Sequence, residues 1–156
     1  MSKRGIDNEL SLFAITNCMI QGDLFEDCQY LEKHPCDAID FITKYLNSDI
    51  SEDMDKDVAT CHVWGTEQIY ETLFYSIDVK RHDGKTFVND RSLAWAGYLY
   101  RYWVWWLGES SKNIVQAFPA EMVLSMFAGL HTLDPKEAIR MLKEAAAKRV
   151  SVVLEK

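Results

Sequence analysis

The sequence predicts an all-α protein, an irregular bundle of six to eight helices around one aromatic-rich central helix at 91–107. Three observations carry that expectation. Apolar residues recur at spacings of three and four through most of the chain. Capping residues and helix-opening prolines stand where those patterns begin. The run "LAWAGYLYRYWVWWLGESS", Leu93–Ser111, is apolar on nearly every helical face, as befits the buried centre of a bundle. A chain of 156 residues suits one domain, 1–156, and hides roughly 68–70% of its unfolded surface.

Taken in order, Asn8–Gln21 is expected as a first helix with Leu12, Ile15 and Met19 as one apolar row. Gly22 is a stop signal and Asp23 a new cap, opening a short helix over Leu24–Lys33. His34-Pro35 ends it, and a helix over 35–47 turns Ile39, Ile42 and Leu46 inward. "NSDISEDMDKD", 47–57, is acidic and poor in large apolar groups, and is expected as a surface linker or weak helix inside the domain. Thr66 caps a helix over 67–77. Asp83-Gly84 is a hairpin turn pair, which makes a small hairpin near 79–89 conceivable. Gly108 ends the central helix, Ser110 or Ser111 starts a short one, and Pro119 opens another that ends near Gly129–Leu130. "DPKE", Asp134–Glu137, combines cap, first-position proline and third-position carboxylate ahead of a final helix to about Val150.

The central run bears on function. Leu93–Leu107 is 15 residues, short of the about 20 a membrane span needs, and Arg101 would cost about 2.5–3.5 kcal/mol at a bilayer's centre. No membrane role is expected. Ala94, Gly97, Tyr98, Arg101 and Trp105 share one face, whose small residues admit either another backbone or a pocket. Arg101 keeps its proton, so burial demands an acceptor; Glu67, Glu71, Glu109 and Glu121 are the candidate carboxylates, and Trp105 can stack on it. Two readings follow. One is an internal ion pair holding helices in register. The other is a small-molecule or anion pocket centred on Arg101 and lined by Tyr98, Tyr102 and Trp105, with or without catalysis.

Charge adds a second clue. Residues 1–60 carry five Lys/Arg against thirteen Asp/Glu, while the rest of the chain is nearly balanced. Such a surface repels phosphate backbones, so no nucleic-acid partner is expected, and it suits a basic protein partner. His34 with Cys36, and Cys61 with His62, offer zinc-type ligands, but their spacing matches no finger or ribbon, so no metal is expected. Adjacent Cys61 and His62 rarely meet as nucleophile and base, "GESS" is not a nucleophile elbow, and phosphate-loop motifs are missing. No catalytic residue and no cofactor are therefore expected. The residues after Met1 are polar and no C-x-x-C pair occurs, which points to a reducing cytoplasm and free thiols.

The run "SLAWAGYLYRYWVWWLGESSKNI" with "LHTLDP" downstream resembles a group of small uncharacterised bacterial proteins found near toxin–antitoxin genes. The resemblance spans about residues 92–135 and carries over no catalytic residue. It implies a cytoplasmic, non-enzymatic interaction or neutralising protein, antitoxin-like in character.

Overall fold

The computed structural model describes residues 9–56 and 64–155, which form an all-α bundle. The helices are α1 (Leu12–Asp27), α2 (Ala38–Leu46), α3 (Asp49–Met54), α4 (Thr66–Ser76), α5 (Asp90–Leu107), α6 (Ser111–Ala117), α7 (Ala120–Ser125), α8 (Phe127–Leu130) and α9 (Pro135–Glu155). These nine among the described residues differ from the expected set because the 119–130 stretch divides at Met126 and the acidic segment holds α3, while the two helices expected over 8–33 merge into α1. One 3₁₀ turn, Cys28–Tyr30, follows α1.

α5 is the axis, as its sequence requires. Asn89 caps it by accepting from the backbone N–H groups of Arg91 and Ser92, and Gly108 ends it at φ 71°, a left-handed conformation that glycine adopts without strain. Leu93, Leu99, Tyr100, Trp103 and Val104 are buried in the common core. α1 makes the most extensive contact with it and runs antiparallel. Phe13 meets Trp105 edge-on, Gln21 donates to the Gly97 carbonyl, and Gly22 lies against Ala94. A Cβ on Gly97 would stand 2.5 Å from the Gln21 carbonyl oxygen, so the absent side chain is what lets the two backbones touch.

That contact corrects the expected organisation of the first thirty residues. Gly22 does not stop a helix; it is a mid-helix contact point, and α1 continues through it to Asp27. The apolar row of the helix faces away from that contact. Its buried residues are Ala14, Asn17, Cys18, Gln21, Gly22, Leu24 and Phe25, whereas Leu12 and Met19 are exposed and Ile15 is half-buried. The buried face carries the small residues Ala14, Cys18 and Gly22, spaced by four, rather than the bulkier apolar row. Gln21 is tolerated inside because its amide has partners at both ends.

Further along, Asp37 caps α2 by accepting from Asp40 N–H, so the helix starts later than Pro35. The hairpin expected near 79–89 is not formed. Val79–His82 pairs with the 35–37 segment instead, through an antiparallel bridge between Cys36 and Arg81 flanked by Asp37 N–H to Lys80 O and His82 N–H to Pro35 O. Gln29 secures the remainder, exchanging two hydrogen bonds with the Val88 backbone. Ser110 caps α6, Pro119 precedes α7, and Asp134 accepts from Lys136 N–H at the start of α9.

Candidate functional site

Two places have the character of a site: the interior around Arg101 and the outer face of α1.

Arg101 is fully buried. Its Nε and Nη2 both donate to Gln21 Oε1, at 3.0 and 2.7 Å, Nη2 also donates to Ser51 Oγ at 2.9 Å, and Nη1 donates to Asp55 Oδ1. The network continues outward. Asp55 Oδ2 accepts from Ser111 N–H at 3.0 Å and Ser111 Oγ at 3.1 Å, and Ser51 donates to Ser111 Oγ at 2.8 Å. Gln21 is held in turn by its donation to Gly97 O at 2.8 Å. Helices α1, α3, α5 and α6 thus share one buried ion pair with its polar shell. A buried charge of this kind persists only when paired and hydrogen-bonded, and this one is both.

The structure departs from the expected arrangement. The carboxylate is Asp55, not Glu67, Glu71, Glu109 or Glu121; Glu109 instead accepts from Trp103 Nε1 and pairs with Lys143. Of the two expectations for the acidic segment, linker or weak helix, its described part forms the short helix α3, with Ser51 and Met54 buried and Asp55 supplying the counter-ion. The guanidinium's hydrogen bonds among the described residues go to Gln21, Ser51 and Asp55 rather than to the side chains of Tyr98 or Tyr102. Tyr98 and Tyr102 stack on each other with centroids 6.2 Å apart, and Trp105 meets Phe13 of α1. Burial pushes Tyr102 up to about 12 and raises Tyr98, so both phenols stay protonated. An anion arriving at Arg101 would have to displace Asp55, Gln21 or Ser51.

The outer face of α1 contrasts with this closed interior. With 3.6 residues per turn, Leu12, Ile15, Met19, Asp23 and Glu26 fall on one solvent-side stripe. Leu12 is 82% exposed and Met19 58%. The stripe is apolar through its first two turns and acidic in its last. Burial and then the charges of Asp27, Asp23 and Asp90 raise Glu26; burial, Asp23 and Asp90 raise Asp27. Among the described residues no cation forms an ion pair with Asp23, Glu26 or Asp27. Sequence periodicity identifies the apolar row but not the side it faces; the small-residue row beside it points to the orientation.

His34 and Cys36 both contact backbone carbonyls. His34 Nε2 meets Val79 O at 2.8 Å, Cys36 Sγ donates to His34 O, and Cys61 and His62 lie outside the described residues. Among the described residues no group of three or more His, Cys, Asp or Glu is arranged to hold a metal. Cys18, Cys28 and Cys36 are free and buried, with burial pushing Cys18 and Cys36 up to about 12 and Cys28 upward too. Such thiols are inert rather than nucleophilic. A cleft of about 250 Å³ opens between residues 31–34 and α4, lined by Glu32, Glu67, Glu71 and Phe74. No helix among the described residues is long and apolar enough to cross a membrane.

Compared with family models, curated proteins and solved structures, the chain matches none.

Proposed function

We propose that this protein is a non-enzymatic interaction module whose acidic N-terminal third engages a basic protein partner. The observation that carries this reading is the cluster of carboxylates Asp23, Glu26, Asp27 and Asp90, in which Asp23, Glu26 and Asp27 have no ion pair among the described residues; burial first, and then the charges of these neighbours, raise Glu26 and Asp27. Mutual repulsion of this kind is relieved by an incoming cation, and it steers a basic partner from a distance. The closed Arg101 network supports the same reading by giving that residue a scaffold role. We place the partnership in the cytoplasm, where reducing conditions keep Cys18, Cys28 and Cys36 as thiols, and we regard it as antitoxin-like: an acidic protein neutralising a basic one.

The test is capture from a cell extract at low and high salt, with wild-type bait beside the Asp23→Asn/Glu26→Gln/Asp27→Asn variant. A protein held at low salt, released at high salt and lost with the variant supports the reading. Retention of nothing, or retention indifferent to both changes, overturns it.

A further inference from the structure

The exposed stripe of α1 has a directional composition. Leu12, Ile15 and Met19 occupy its N-terminal half, and Asp23 and Glu26 its C-terminal half, with Asp27 and Asp90 alongside. An apolar row left in water on a regular helix is where a partner helix seats. The charge pattern decides among occupants. A second copy laid parallel would match apolar to apolar but set carboxylate against carboxylate. Laid antiparallel, it would bury the carboxylates of each copy against the Leu12–Met19 row of the other. Either arrangement leaves like charges opposed or charges desolvated without partners. A helix with apolar residues along one half of a face and Lys or Arg along the other half matches both parts at once.

We infer that the Leu12–Ile15–Met19–Asp23–Glu26 stripe of α1 is the docking face for an amphipathic helix of a basic partner, its apolar row over Leu12 and Met19 and its cations over Asp23 and Glu26. The inference rests on the acidic-module reading and gives it a surface, an orientation of composition and a partner class. Leu12 and Met19 act as anchors because they have the most area to lose to a partner; Phe13, 44% exposed beside Trp105, widens the apolar end.

The test uses the full chain and a synthetic helical peptide, fluorescently labelled, with leucines at i, i+3, i+4 and i+7 in one half and lysines on the same face of the other. Fluorescence anisotropy is read against the wild type, Leu12→Asp/Met19→Asp and Asp23→Asn/Glu26→Gln/Asp27→Asn, at low and high salt. Leu12, Met19, Asp23 and Asp27 are exposed and Glu26 is half-buried, and circular dichroism checks that each variant keeps its helices. The expected result is at least tenfold weaker binding for the apolar variant at both salt concentrations. The charge variant should bind several-fold more weakly at low salt and lose most of its salt dependence. Peptides with serine for leucine or glutamate for lysine should fail to bind. Loss with the charge variant alone overturns the docking face and leaves the acidic reading standing; no binding of the peptide to any form overturns both. Concentration-dependent dimerisation abolished by Leu12→Asp/Met19→Asp, seen by sedimentation, would assign the stripe to a second copy and overturn the proposed occupant.

Discussion

Asp55→Ala is the sharpest perturbation of the scaffold. The substitution deletes the one carboxylate that pairs with fully buried Arg101 and also removes the acceptor for Ser111 N–H and Oγ. Removing one partner of a buried ion pair costs about 3–5 kcal/mol, because the remaining charge keeps its desolvation penalty. Asp55 retains 14% of its side-chain exposure, so water reaches the space left behind, and Gln21 and Ser51 still hold three of the guanidinium's hydrogen bonds. Those features favour the lower end of the range, about 3 kcal/mol. With a urea dependence of roughly 2 kcal/mol per molar for a domain of this size, the unfolding midpoint should fall by about 1.5 M. The assay is equilibrium urea unfolding followed by tryptophan fluorescence, for wild type, Asp55→Ala, Arg101→Met and the double variant. Coupling requires the double variant to lose less than the sum of the singles. An Asp55→Ala loss below about 0.5 kcal/mol, the usual effect of a surface substitution, would refute the buried pair as a determinant of the fold.

Other expected outcomes follow from the same geometry. Gly97→Ala puts a Cβ within 2.8 Å of the Gln21 carbonyl carbon and Gly22 Cα, all backbone, so α1 and α5 must separate; a loss of about 1–3 kcal/mol should appear in thermal unfolding. Cys18, Cys28 and Cys36 should resist iodoacetamide at pH 8 in the native protein and react at once in denaturant, as mass spectrometry can count. Asp27 has its folded pKa raised, by burial and then by Asp23 and Asp90, so its charged form weakens the fold above that pKa and the penalty vanishes as pH falls through it. Asp27→Asn should therefore stabilise the protein at neutral pH by about 0.2–0.5 kcal/mol, the usual scale of like-charge repulsion on a helix. That advantage should disappear in acid and shrink in high salt, as unfolding across a pH series would show.

The helices that announced themselves in the sequence did so through caps and one unbroken apolar pattern. α5 and the start of α9 follow the residues that promised them, Gly108 and Asp134-Pro135 among them. The orientation of α1 was hidden because apolar periodicity identifies a face without saying what is opposite it. Leu12, Ile15 and Met19 form the stronger hydrophobic row, yet Gly97 and Ala94 on α5 lie against Gly22, and the face of α1 that carries Gly22 also buries Ala14 and Cys18. Asp55 was hidden for a different reason. It sits in a run of charges where each residue has the same chemistry, and only the path of α3 past Arg101 singles it out. Ser51 and Met54, four and one residues before Asp55, were the one available hint of an inward face. The candidate surface followed from the first of these corrections: once the small residues face α5, the apolar row must face water.

The most direct measurement of the central claim is backbone amide chemical-shift mapping of the full chain during titration with the leucine–lysine helical peptide. Perturbations should concentrate on α1, along Leu12, Ile15, Met19, Asp23 and Glu26, and leave the Arg101 network unmoved. Perturbations centred instead on the cleft of Glu32, Glu67 and Glu71, or spread evenly over every acidic residue, would contradict that claim.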